Sequence, residues 1–445
     1  MRTILTLLLA ASLLPAAGFR AGIGRIKVTP EKPMWLAGYA SRNHPSEGVL
    51  TDLWAKALAL EDGKGGKAVI VTIDVLGLPP SISNAVAARV AKQYGLERSR
   101  LLLNCAHTHT GPVIRPNLKL MYDLDPEQGK LLVEYAKTLE DKLVNVVGAA
   151  LGDLAPAKLS TGHGKAVIGV NRREVTPKGV IIGVNPHGPT DPDVPVLRVE
   201  TTDGKLKAVL FGFSCHNTTL TGEHYVISGD YAGFAQIDVE KAHPGATAMF
   251  MQLCGADQNP NPRGKIEHAE QHGRTLAGAV DGVLAGTMKP VQGNIRAAFL
   301  SIDLAFKPHT REQFVEESKS KDKYRVRRAQ AMLSAYDEGR PPRKMSYPVQ
   351  AIRLGKDYTV LGLGGEVVVG YALRAKKEFP KENLVVAGYS GEVASYIPTL
   401  DVLKGGGYEP DISHVYYGNP GPYTDDVEET IFTAIHKVMA RVGVK

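Results

Sequence analysis

The chain has 445 residues, 43% of them hydrophobic and 22% charged, with a formal net charge of +7 at pH 7. That composition belongs to a folded globular protein large enough to bury a sizeable core, and it excludes an intrinsically disordered chain. The basic excess is modest and dispersed, so no clustered stripe marks a nucleic-acid-binding face.

Residues 1–18, "MRTILTLLLAASLLPAAG", combine a short basic start, an apolar stretch too short to span a bilayer and small residues at the end. This is the pattern of a cleaved signal peptide, with a retained N-terminal anchor as the alternative. No later run is long and apolar enough for a membrane helix, so the mature chain, 19–445, is expected to be exported as one large domain without a transmembrane helix. Downstream, strand-length apolar runs such as "KAVIVTID", "RLLLNCAH", "KAVLFGFSCH", "ATAMFMQLCG", "DYTVLGLGGE" and "ENLVVAGYSG" are often followed by helical patterns such as "SISNAVAARVAKQYG" and "HAEQHGRTLAGAVDGVLAG". The alternation predicts an α/β fold. A turn-rich stretch near 155–210 makes the sheet mixed rather than purely parallel, so the expected architecture is mixed β-sheets layered with flanking helices.

Two smaller features have bland readings. Cys105, Cys215 and Cys254 are an odd number without a C-x-x-C spacing, which suits small buried thiols better than disulfides or zinc thiolates. The basic run "KSKDKYRVRRAQ" at 319–330 has acidic neighbours and reads as a solvated helix face, with a lid or membrane-surface helix as the alternative.

In layered α/β proteins, polar side chains converge where strands end. Following the apolar runs come His107 and His109, then His216, then Asp257, Gln258 and Asn259, then Glu366, and Tyr396. In extended chain Cys105, His107 and His109 share a face, and two imidazoles aimed at one spot form half of a zinc site or a pair of hydrogen-bonded structural histidines. Glu366 precedes an apolar helical pattern and either caps it or binds a cation. "CGADQNPNPRG" at 254–264 reads as a turn, with backbone N–H groups near the next helix as an alternative oxyanion site.

Read together, these segments resemble the neutral/alkaline non-lysosomal ceramidases, zinc amidohydrolases that cleave the N-acyl bond of ceramide. "AHTHTGP" is similar to the family's T-H-T-H-S-G-P run, and His216 with "ISGDYAGF" to its histidine followed by S-G-D and G-Y-A. "NRRE" at 171–174, "DPDVPVLRV" at 191–199, "GGE" ending at Glu366 and "YIPTLDVLKGGGYE" from Tyr396 to Glu409 follow in family order. The resemblance implies that His107, His216, Glu366 and Tyr396 bind zinc, and that His109, Arg172 and Tyr408 line the reaction centre. It departs from the family at Asn259, which stands where the family has its nucleophilic serine and cannot form an alkoxide. It also leaves no length for the family's C-terminal β-sandwich, which weakens the case for membrane-lipid presentation.

The resemblance therefore implies hydrolysis of ceramide or a related lipid amide by a zinc-activated water. Arg172 or Tyr408 would help stabilise the oxyanion, His109 relay the proton and Asn259 donate a hydrogen bond. The partners implied are a small-molecule or lipid amide and a transient membrane surface, with no nucleic acid. The alternatives are a hydrolase of another amide or ester, and an exported zinc-containing binding protein without turnover.

Overall fold

The computed structural model describes residues 18–114 and 116–444, so all but the last residue of the proposed signal peptide lies outside the described residues. A large mixed sheet runs in the order Thr247–Gln252, Leu206–Phe213, Asp193–Thr201, Ala155–Lys165, Phe19–Lys27, Trp54–Glu61, Lys67–Ile73 and Leu101–Cys105, with Lys289–Pro290 added beside Ala155–Lys165. The pairs at the two ends of this path are parallel, with Phe211 opposite Phe250 and Val71 opposite Leu103, while the pairs along the path between them are antiparallel. This is the mixed sheet that the alternation and the turn-rich middle predict.

A second sheet, in the order Ile295–Ala305, Lys344–Leu354, Tyr358–Leu363 and Leu384–Ala387, packs on the first. Leu58, Ile70, Leu102, Leu210 and Met249 of the large sheet bury with Ile352, Val360 and Val385 of the second. The outer face of the large sheet is covered by the helices Pro80–Tyr94 and Pro126–Gly152, and elsewhere by Asp230–Ala242 and Ile266–Ala285. Helices Val369–Glu378 and Val427–Arg441 cover the second sheet. Each helix presents an apolar stripe, as Leu132, Tyr135, Leu139, Leu143 and Val146 do along Pro126–Gly152. That helix lies so close to the sheet that a Cβ at Gly22 would collide with the Ala150 carbonyl, so glycine is required there.

The two edges of the large sheet meet. Asn104 Nδ2 donates to Gln252 O at 3.1 Å, and Gln252 N donates back to Asn104 Oδ1 at 2.8 Å. Asn104 Nδ2 also reaches Gly388 O at 2.8 Å, just beyond the last strand of the second sheet. One buried amide therefore ties three strand ends together, and the segments that leave them carry the polar residues picked out from the sequence.

The basic run at 319–330 is solvated at Lys319, Lys321 and Lys323, and docked on its other side. It enters helix Lys323–Asp337, where Arg328 is buried against Glu317 and Lys323 and Arg327 pair with Asp123. Tyr324 Oη donates to Ala40 O at 2.8 Å. Carboxylates of the same chain pair with most of the run, and the helix is pinned to the rest of the molecule. The three cysteines are free and buried, as expected.

Candidate metal and reaction centre

His107 and His109 follow the strand Leu101–Cys105, but not on one extended face with Cys105. His107 has φ +63°, in the left-handed region, so the chain turns at once and Cys105 stays in the apolar core. The turn is held by His107 N donating to Val75 O at 2.9 Å and His109 N to Asn217 O at 3.2 Å. Glu366 likewise does not cap the helix it precedes. It lies in the two-residue strand Glu366–Val367, paired in parallel with Tyr396–Ile397, so that Glu366 stands directly opposite Tyr396. The helix starts at Val369, whose N–H is accepted not by Glu366 but by Asp257 Oδ1 at 2.8 Å.

Four sequence-distant side chains meet at one point. Glu366 Oε2 lies 3.0 Å from His107 Nε2 and 3.1 Å from His216 Nε2. Tyr396 Oη is 3.3 Å from His216 Nε2. His109 adds a third imidazole, its Nε2 3.1 Å from His107 Nε2, and donor atoms of His107, His109 and His216 all lie within 4.8 Å of one another.

The network fixes which atoms face the centre. His107 Nδ1 sits 2.6 Å from Leu76 O and His216 Nδ1 2.9 Å from Gly255 O, so these nitrogens carry the protons and the Nε2 atoms are left for a cation. Burial, helped by Arg172, pushes His216 down to about 4, and burial with His107 holds His109 well below the usual histidine range. Burial alone would raise Glu366, but positive charge at the His107 and His216 Nε2 atoms, the place a cation would occupy, outweighs it and lowers the carboxylate pKa. Its other oxygen accepts from Tyr417 Oη at 2.6 Å. Imidazole lone pairs, an ionised carboxylate and a phenol oxygen within hydrogen-bond distance of one another suit a divalent cation with a mixed nitrogen and oxygen shell, and zinc is compatible with that set.

Beside this cluster stands Arg172. It donates Nε to Glu409 Oε1 at 2.9 Å, Nη1 to Asn259 Oδ1 at 3.3 Å and Nη2 to Tyr396 Oη at 3.1 Å. Its guanidinium carbon lies 5.6 Å from the ring centroids of both Tyr396 and Tyr408. Glu409 also binds Arg173, so one buried carboxylate holds two arginines. Asn259 is in a buried strand, Gln258–Pro260, rather than a turn. The neighbouring Gln258 and Asn261 N–H groups are taken by Gly255 O and Ile168 O, and the next helix begins only at Ile266, so the segment offers no helix-end oxyanion site. Asn259 instead contributes its side chain: Oδ1 accepts from Arg172 and from Thr218 Oγ1 at 3.3 Å, leaving the NH2 end for the cavity that it lines.

That cavity has a volume of about 240 Å3 and brings together His109, Arg172, Asn259, Tyr396 and Tyr408 with Tyr39, Met121, Ile182 and Arg263. His107, His216 and Glu366 form the buried cluster beside it. Sequence reasoning missed Tyr417, Glu409 as a clamp, Thr218, Tyr39 and Arg263. Only Glu409 had a signal, its place directly after Tyr408.

Residues 19–276 match the family profile described as neutral/alkaline non-lysosomal ceramidase, N-terminal. The chain belongs to this ceramidase family. It is 26% identical over 276 residues to a neutral ceramidase of Pseudomonas aeruginosa, covering 58% of this chain and 40% of that one. A neutral ceramidase of Mycobacterium tuberculosis is 26% identical over 258 residues, covering 52% of this chain and 38% of the relative. The chain thus spans about two fifths of the curated relatives it matches. The crystal structure of neutral ceramidase from Pseudomonas aeruginosa superposes with a TM-score of 0.73 at 19% identity, over 96% of this chain and 75% of that one. A structure described as a ceramidase complexed with C2 gives 0.74 at the same identity. These two likenesses show that the fold is that of the family across nearly the whole chain.

Proposed function

We propose that residues 19–445 act as a zinc-dependent hydrolase of N-acyl amide bonds, on ceramide or a related lipid amide. The observation that carries this reading is the convergence of His107, His216, Glu366 and Tyr396 beside a cavity lined by His109, Arg172, Asn259 and Tyr408. The ion would be held by the first four, and when bound it supplies Lewis acidity and eases deprotonation of water near neutral pH.

The remaining roles follow from the chain's own groups. His109, which lines the cavity with its Nε2 3.1 Å from His107 Nε2, accepts a proton from the attacking water and returns it to the leaving nitrogen. Arg172, held in place by Glu409, and Tyr408 direct donors at the carbonyl oxygen as it becomes negative. Asn259 cannot be the nucleophile, so its NH2 group orients substrate or water. Export of the mature chain is supported by the N-terminal sequence pattern, and no helix among the described residues is long and apolar enough to cross a membrane.

Two substitutions probe these roles. Gly38 has φ +91°, and a Cβ there would collide with His109 Nδ1. Gly38→Ala is expected to lower kcat about 100-fold by displacing the His109 ring, with metal content kept. Asn259→Ala is expected to lower kcat by roughly 10- to 100-fold, with folding and metal content retained; full activity in that variant rules out the orienting role.

The asparagine at 259 favours one other reading, an exported zinc-containing binding protein without turnover. Metal analysis paired with a screen of a short N-acyl amide, a ceramide and an aryl ester separates the readings. One equivalent of zinc with release of acid and amine is expected; faster ester turnover points to an esterase, and stoichiometric zinc without product supports the binding protein.

A further inference from the structure

The cavity lining contains two arginines, Arg172 and Arg263, and no aspartate or glutamate. Arg172 is ion-paired with Glu409, which it shares with Arg173. Arg263 has no ion-pair partner among the described residues: its only side-chain hydrogen bond runs from Nη2 to Tyr39 Oη at 2.9 Å, and its buried Nε–H has no partner. Tyr39 does not supply the missing charge, because its hydroxyl donates to Leu220 O at 3.2 Å and burial pushes its pKa up to about 12. A second cation, Arg42, lies over the same ring at 5.0 Å, with its Nη groups on backbone carbonyls. No carboxylate among the described residues lies within ion-pair distance of Arg263, and the buried Asp230 beyond Tyr39 is taken by the N–H groups of Leu220 and Tyr231, so the Arg263 side of the cavity is positive.

The size of the space agrees with a compact charged group. About 240 Å3 is below the ~300–1,000 Å3 of ordinary small-molecule pockets, so it takes the reacting end of a substrate rather than two full lipid chains. Met121 and Ile182 give the lining an apolar part suited to an acyl chain, which leaves the guanidinium for the amine half. A planar guanidinium with free N–H groups binds a carboxylate through paired, charge-assisted hydrogen bonds.

We propose that Arg263 is a specificity-determining residue that selects N-acyl amides bearing a carboxylate on the amine portion, as in an N-acyl amino acid, over neutral lipid amides. This rests on the amide-hydrolase reading of the same site. The test compares N-lauroylglycine with N-lauroylglycinamide on the zinc-loaded full chain, for wild type, Arg263→Gln and Arg263→Lys. The acid is expected to be favoured in kcat/KM by roughly 10- to 100-fold in wild type. Arg263→Gln is expected to bring the ratio close to one, mainly through KM, while Arg263→Lys, which keeps the charge but not the paired donors, is expected to keep only part of it. A wild-type ratio near one, or an unchanged ratio in Arg263→Gln, overturns the proposal and leaves the hydrolase reading standing. If neither compound is cleaved, the screen with ceramide and an aryl ester decides the hydrolase reading, and calorimetric binding of the same pair decides the inference. Tighter binding of the acid, lost in Arg263→Gln, upholds it; equal binding overturns it.

Discussion

Replacing His216 with alanine is expected to reduce bound zinc from about one equivalent to less than a tenth, and to lower kcat/KM by about 1,000-fold or more. Two losses combine. The ion would lose one imidazole from a set in which each nitrogen is aimed by its own backbone contact, Nδ1 of His216 on Gly255 O at 2.9 Å. Glu366 would also lose its neighbour at 3.1 Å, whose ring fixes where the carboxylate oxygen meets the shared centre. Metal analysis on dialysed protein, paired with steady-state kinetics, checks both halves. A variant with full zinc and full rate removes His216 from the shell.

Glu409→Ala is expected to cost about 3–5 kcal/mol of stability, the largest effect among substitutions outside the proposed ligands. Glu409 is 1% exposed, and its two oxygens bind Arg172 and Arg173, which are 4% and 9% exposed. Removing the carboxylate leaves two buried guanidiniums facing each other without a counter-charge, whereas Glu409→Gln keeps one acceptor and is expected to lose less. Burial would raise the Glu409 pKa, but Arg172 and Arg173 hold it below the ordinary 4.5. The sign follows: a depressed carboxylate contributes stability that is present above 4.5 and is lost as pH falls through its lowered folded value. Denaturant unfolding at pH 7 and across the acid range measures the loss, and the alanine variant is expected to lack this part of the acid dependence.

The positions of the proposed ligands were legible because each follows a buried apolar strand, and strands that end together deliver their next residues to one place. That logic singled out His107, His216, Glu366 and Tyr396 along with His109, Asp257, Gln258 and Asn259, and the family resemblance chose the first four as ligands; the structure brings those four together. Local conformation was less legible. The left-handed turn at His107 and the two-residue strand at Glu366 depend on partners far along the chain, so neither an extended H-x-H face nor a helix cap by Glu366 formed. Asn259 likewise lies in a strand only because Val170 pairs with it. Contacts between distant loops had no local signature at all. Tyr417 reaches Glu366 across 51 positions and Arg263 reaches Tyr39 across 224, and nothing in the pattern around either residue indicates that reach. The basic run at 319–330 keeps the exposed lysines and acidic neighbours its sequence shows, but its further counter-charge, Asp123, lies some two hundred residues upstream and had no local signal.

The most direct test of the whole account is an anomalous diffraction map at the zinc edge from crystals of purified, zinc-loaded protein. The expected result is one peak per chain between His107 Nε2, His216 Nε2 and Glu366, with ligand distances of about 2.0–2.2 Å. Tyr396 Oη is expected to complete the protein side of the shell. A map with no peak there, or with the metal held by other residues, contradicts it.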